Sequence, residues 1–473
     1  MAAIRSLRIY EDTYRTKEIK LLANWILAGE SGTVVGLPGC GRSNLLSFFC
    51  HRPEIVRSHL PEQAQSFVVV PVELNDLLVN EFSAFYRIIL RAFARVTDLF
   101  PSELQSSVTA LYEQHQREQD FFVSQSAVYD VLKLCQRHQV QVVLVLNRFE
   151  DFCHNATIQM INALRALRDN FKDSLCYIVG MPQQVTYLPD PSILGNMYEI
   201  LDSRICWVGA MAESDARQLV FQETYAATVS PTDEAITKFL TLTGHFPALL
   251  KAVCQWWLTE SDRPAMDEWL ESLLVNPTIQ HRLAKIWYAL SQEEQLALSD
   301  VHKFHLRMGT SNPQAKSFKE AVEALNAQQY RVLKRLETKG LCTSIERAWY
   351  VSGELLERYV ADMGGQSRGR IWKSEHDEIF QGAKRLKDLT PLEYNALDFL
   401  IRKPYKKHTK DEIIANCWSD VENYAGVDDT ALFQMIRQLR LKIEPNPGEP
   451  CYIINWRGKP QGGYRFFPEG RPG

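Results

Sequence analysis

Gly36-Leu-Pro-Gly-Cys-Gly-Arg-Ser43 follows the apolar pair Val34-Val35 and runs into Asn44-Leu45-Leu46. Glycines at that spacing let backbone N–H groups turn inward around phosphates, and a helix starting where the loop ends adds the positive end of its dipole. A phosphate-binding loop of this kind carries a lysine before its Ser/Thr, where this chain has Arg42. The planar guanidinium keeps the charge but is bulkier and prefers fork-like pairing, so the exchange is not conservative. The loop marks Gly36, Pro38, Gly39, Cys40, Gly41, Arg42, Ser43 and Asn44 as candidate binders of ATP or ADP, with Ser43 also a candidate ligand of Mg²⁺. Arg42 leaves turnover open.

A second chemical segment is Gln141-Val-Val-Leu-Val-Leu-Asn-Arg-Phe-Glu-Asp-Phe152. An apolar strand in this place needs acids at its end to hold Mg²⁺ and polarise the attacking water. Asn147 stands there instead, a poorer ligand for a hard cation, and Arg148 cannot accept a proton. Glu150 and Asp151 follow within one turn. They are the candidate catalytic carboxylates, with Glu150 also a candidate metal ligand, or else they cap the next segment. Arg204, in Leu201-Asp-Ser-Arg-Ile205, is either a third catalytic candidate or an internal ion-pair residue. His245 reads as a packed side chain. Cys40 reads as a tolerated small residue, with oxidation sensing as the alternative because a helix N-terminus lowers a thiol's pKa.

These residues need a scaffold to bring them together. Helical apolar spacing covers residues 16–28, and strands fit 33–35, 66–72, 140–146 and 175–179, with helical stretches between. Such alternation predicts a parallel sheet covered on both faces.

In their order, these segments resemble the STAND and AAA+ families of P-loop NTPases. The likeness extends over residues 1 to about 277, through Met211-Ala-Glu-Ser-Asp-Ala-Arg-Gln-Leu, with Ser214 as N-cap of a helical lid, and Thr243-Gly-His-Phe-Pro-Ala-Leu-Leu250. The resemblance implies adenine contact near Tyr14 and Arg15, a nucleotide-side role for Pro247 and Asn147, and Arg204 reaching a neighbouring subunit's nucleotide. Arg42, Asn147 and Arg148 depart from the family pattern, and Gly180-Met181 offers no polar sensor. The expectation is a nucleotide-binding switch with feeble or absent turnover, a degenerate ATPase.

From about residue 281 the pattern is helical, through residues 318–336 to a glycine stop at Gly340 and a short hairpin, which suggests a first winged helix over 278–362. Residues 363–387 read as a linker. In the last segment, 388–473, Thr390, Pro391 and Glu393 start one helix, Thr409 caps a second, and residues 428–443 form a third. Two strands around a tight turn follow. This resembles the winged-helix DNA-binding domain of OmpR-type response regulators, without their receiver domain. Leu432, Ile436, Leu439 and Ile443 should face the core, exposing Thr430, Phe433, Gln434, Arg437 and Leu441. Gln434 and Arg437, beside Thr430, suit base edges; Lys410, Arg440, Lys442 and Lys459 suit phosphates; Arg457 suits a minor groove.

The fold class is therefore multidomain α/β plus α+β: an NTPase core over 1–210, a helical lid over 211–277, and two winged helices. The 473 residues fit three or four compact units. No apolar run approaches a membrane span, which predicts a cytoplasmic protein, and the ten cysteines lack CxxC pairs. Net charge is −4, yet from Ser367 onward 18 Lys and Arg face 15 Asp and Glu, so only the tail inclines toward polyanions. The leading reading is a nucleotide-dependent, self-associating regulator that binds double-stranded DNA. The alternative is a STAND-like scaffold, in signalling or defence, whose winged helices hold a protein partner encoded nearby.

Overall fold

The computed structural model describes residues 10–77, 81–188, 190–225, 230–260, 263–309, 329–346, 348–366, 371–374, 377–381, 384–418, 429–444, 447–448, 450–456, 458, 462–468 and 470. The chain forms two compact units, residues 1–282 with 335–341, and residues 283–334 with 342–473. Among the described residues, no helix is long and apolar enough to cross a membrane.

In the first unit, β1 (Gly32–Val35), β2 (Phe67–Pro71), β3 (Gln141–Leu146), β4 (Leu175–Met181) and β5 (Ile205–Trp207) form one sheet in the order β2-β3-β4-β1-β5. Every neighbouring pair is parallel. β1, β3 and β4 are buried along their whole length, which is why they read as unbroken apolar runs rather than alternating ones. Helices Phe82–Arg95 and Phe121–Arg137 pack Phe85, Ile89, Val128 and Val131 into the core that contains Val68, Val142 and Leu144. Helix α1 (Thr16–Leu27) buries Ile19, Leu22 and Trp25.

Three elements position the candidate chemistry: α2 (Arg42–His51) behind the glycine loop, α3 (Phe149–Asn155) behind β3, and α4 (Pro247–Thr259) in the helical segment beyond β5. The first helix of that segment begins at Glu213 with Ala212 as N-cap, so Ser214 lies inside it and does not cap it. The sequence does not disclose β5, since three residues carry no readable period.

In the second unit, helix Gln292–Gly309, the hairpin β6 (Cys342–Ile345) and β7 (Ala348–Val351), and helix Glu354–Gln366 bury Leu298, Trp349 and Leu355. Much of the helix expected over 318–336 lies outside the described residues. The linker reading of 363–387 needs correction. Residues there form β8 (Ile371–Lys373), β9 (Ile379–Gln381) and β10 (Lys384–Arg385), an antiparallel sheet in the order β10-β9-β8. Ile371 and Ile379 join the C-terminal core, and Trp372 stacks on Phe380 with centroids 4.8 Å apart.

The C-terminal module packs α5 (Pro391–Arg402), α6 (Lys410–Cys417) and α7 (Asp429–Ile443) against β11 (Lys407–Thr409), β12 (Ile453–Trp456) and β13 (Gly463–Phe466), paired β11-β13-β12. Both expected N-caps are full capping boxes, Thr390 with Glu393 and Thr409 with Glu412. Leu432, Ile436, Leu439 and Ile443 are buried in its core, as their spacing required.

Candidate functional site

The glycine loop leaves the carboxyl end of β1, where open parallel sheets offer a crevice to ligands. Gly39 and Gly41 take φ of +87° and +89°, conformations that side chains resist. A Cβ on Gly39 would also stand 2.5 Å from Cβ of Ala248. That close approach has a cause: the N–H of Ala248, in the first turn of α4, donates to the Gly39 carbonyl at 3.1 Å. Pro247 opens the same turn at the first helical position, where its missing N–H costs nothing.

The loop, α3 and α4 enclose a cavity of about 570 Å³ lined by Pro38, Arg42, Ser43, Glu150, Lys251 and Arg282, among others. Arg42 reaches Glu150 Oε1 at 3.5 Å. Its Nε and second terminal nitrogen are buried without a protein partner, as are Glu150 Oε2 and Asn147 Oδ1. Burial raises the Glu150 carboxyl above its ordinary range, against the opposing pull of Arg42. Asn147 Nδ2 donates to Ser43 Oγ at 3.3 Å. The open Arg42 nitrogens, buried beside a glycine loop and a helix N-terminus, offer donors that fit a polyphosphate group, whereas the open Glu150 and Asn147 oxygens accept and would face a cation or a donor. Among the described residues, no cluster of three His, Cys, Asp or Glu side chains could hold a metal ion by itself.

Other candidates sit differently. Arg15 is buried, and its guanidinium donates to the carbonyls of Cys40, Gly209 and Ala210 at 2.8, 3.0 and 3.2 Å, bracing the loop from behind. Tyr14 is buried too, stacked on Tyr10 with centroids 4.0 Å apart, and burial pushes its phenol well up. The Cys40 thiol is raised by burial, contrary to the lowering expected at a helix N-terminus. Asp151 lines the cavity and pairs with Arg148 at 2.6 Å. Arg204 precedes β5, at the opposite end of the sheet from the loop, and forms an ion pair with Glu30. The His245 ring is packed, with Nδ1 3.3 Å from the Met211 carbonyl. Lys251, Arg282 and Tyr10 escape sequence reasoning. Lys251 pairs with Glu223 at 2.8 Å and also lines a neighbouring cavity of about 360 Å³ with Tyr10, Ser43 and Asn147. Nothing in their local sequence marks them, because only tertiary packing brings them to the loop.

On α7, Thr430, Phe433, Gln434, Arg437 and Leu441 are exposed, as the helical spacing predicts. Three expected phosphate contacts are engaged within the module. Lys410 pairs with Asp429. Arg440 donates to the Ile453 carbonyl at 3.1 Å and to Asn455 Oδ1 at 2.9 Å. Lys442 donates to the Asp388 carbonyl at 2.7 Å and pairs with the buried Glu393. Arg457 and Lys459 lie outside the described residues. Glu444, fully buried, accepts from the N–H groups of Cys451, Tyr452 and Ile453 at 2.7 to 3.0 Å, which ties the end of α7 to β12.

Residues 384–466 match the family model described as "Transcriptional regulatory protein, C terminal". The DNA-binding response regulator MtrA of Mycobacterium tuberculosis is 35% identical over 81 residues, 17% of this chain and 32% of that protein. The alkaline phosphatase synthesis transcriptional regulatory protein SphR of Synechococcus elongatus is 33% identical over 78 residues, 16% of this chain and 28% of that protein. The chain thus spans about a third of the length of these curated relatives. Among solved structures, a Walker-type ATPase of Pyrococcus abyssi aligns over 73% of this chain and 95% of its own, at 10% identity and a TM-score of 0.40. The ORC2 protein of Aeropyrum pernix aligns over 74% and 92%, at 13% identity and a TM-score of 0.35. Residues 384–466 are a winged helix of the transcriptional-regulatory C-terminal type, carried in one chain with a parallel-sheet unit whose first strand runs into a glycine loop.

Proposed function

We propose that this chain is a nucleotide-binding regulator whose C-terminal winged helix contacts duplex DNA. The observation that carries the reading is the pairing, in one chain, of a glycine loop with unpartnered buried polar atoms and a winged helix of the regulatory type. ATP or ADP would lie against the loop, with Arg42, Lys251 and Arg282 facing the phosphates and Ser43 available to Mg²⁺. Turnover is weak or absent in this reading, because Arg42 neutralises Glu150, Asn147 stands where an acid is needed, and Arg148 holds Asp151. Self-association would add avidity to a single winged helix. The test is duplex-DNA binding by the full chain with ATP, with ADP and with neither, at two salt concentrations. Affinity that changes with nucleotide supports the switch; affinity no greater than that of a charge-matched control rejects it.

One observation favours a protein-binding scaffold instead: Lys410, Arg440 and Lys442 are engaged within the module, while Phe433 and Leu441 are exposed. A stoichiometric, salt-insensitive complex with a protein partner, formed without DNA, would establish that reading.

A further inference from the structure

Building on the DNA-binding reading, we propose that Phe433 selects thymine, packing its ring against the C5 methyl group in the major groove. In helix-turn-helix readers the N-terminal residues of the recognition helix meet base edges. Phe433 lies in the second turn of α7 and is 47% exposed, although its neighbours Leu432, Met435 and Ile436 are buried. The Lys410 ammonium stands 4.7 Å from the ring centroid and is itself paired with Asp429, so one face of the ring is held in place. Beside it, exposed Gln434 and Arg437 offer hydrogen bonds suited to adenine and guanine. Neither group senses a methyl; an apolar side chain does. Leu441, also exposed, lies two turns further along the helix.

The experiment selects bound sequences from a randomised duplex pool with the full chain. Each is then measured with thymidine and with deoxyuridine at every thymine position, a change that removes only the methyl groups. The wild type should lose roughly fourfold in affinity per contacted methyl. Phe433→Ala should bind both forms alike, and Phe433→Leu should keep part of the difference. Arg437→Ala should weaken both forms equally and keep their ratio. A wild type that binds duplex with no methyl dependence, or a Phe433→Ala variant that retains it, overturns the inference while leaving DNA binding intact. No duplex binding above a charge-matched control overturns the DNA-binding reading itself, and this inference with it.

Discussion

In the phosphate-loop pocket, Arg42 keeps two buried nitrogens without a protein partner, whereas on α7 Arg440 directs its nitrogens to the Ile453 carbonyl and Asn455. Both arginines stand in a terminal turn of a helix, yet one is left open to a ligand and the other secures a wing strand. Side-chain type did not decide the difference; the neighbours did. Around Arg42, the loop supplies no partner for its buried nitrogens, and the acid it reaches, Glu150, is half satisfied. Around Arg440, β12 supplies a carbonyl and an amide at bonding distance. Arg42 is left with open nitrogens, and Arg440 is committed to the fold, while Thr430, Phe433, Gln434 and Arg437 stay exposed on the same helix.

The strongest way to break the pocket half of this comparison is Gly39→Val. The left-handed φ and the contact with Ala248 combine, so the variant should lose about 3 kcal/mol of stability, read by chemical unfolding, together with nucleotide-dependent stabilisation. A variant as stable as the wild type would show that α4 does not pack on the loop. Arg42→Ala should come next. It should weaken ATP and ADP binding by roughly ten- to a hundredfold, about 1.4–2.8 kcal/mol, measured by calorimetry. Glu150→Gln should tighten binding, since it removes the carboxylate that competes for the guanidinium. Unchanged affinity in both variants would mean that phosphates bind elsewhere.

Much of this arrangement is legible in the sequence. The glycine loop between an apolar pair and a helix marks the pocket, and buried strands β2 to β4 appear as apolar runs. Thr390 and Glu393 announce a capping box, and the two faces of α7 follow from helical spacing. What stays hidden depends on distant partners. Lys251 and Arg282 approach the loop only through folding, and Arg440 and Lys442 look available on a helical wheel until β12 and Glu393 claim them. The short strands β5 and β8 to β10 are fixed by pairing rather than by period. Tyr14 and Arg15, for which the resemblance implies adenine contact, are buried, and Arg15 braces the loop from behind.

Lys442→Met tests the other half of the comparison. Removing the ammonium leaves the buried Glu393 carboxylate with Thr390 alone, and should cost about 2 kcal/mol of stability at neutral pH. Its effect on the salt dependence of DNA binding should be small, because the charge is committed within the module. Arg437→Ala should reverse that pattern, leaving stability unchanged and weakening duplex binding by about 1–3 kcal/mol, with discrimination lost at the base it reads. A Lys442 variant that lost the salt slope while keeping stability would place this cation on the DNA after all.

The smallest expected effect is also the most specific. Burial alone would raise the Glu393 carboxyl, but hydrogen bonds from Lys442 and Thr390 outweigh it and hold the group below its ordinary value of 4.5. A carboxyl lowered in the folded state binds fewer protons there than in the unfolded chain, so it contributes stability above pH 4.5 that is lost as pH falls through the folded value. Thr390→Ala removes the hydroxyl that accepts from the Glu393 N–H, at a cost of about 1 kcal/mol at neutral pH. It also removes one of the bonds that keep Glu393 ionised, so part of that cost should disappear in acid. Unfolding of the full chain followed from about pH 7 down to about pH 3 should show the wild-type and variant curves converging. Parallel curves would mean that the cap acts through the hydroxyl alone, and that the lowered carboxyl owes its state to Lys442.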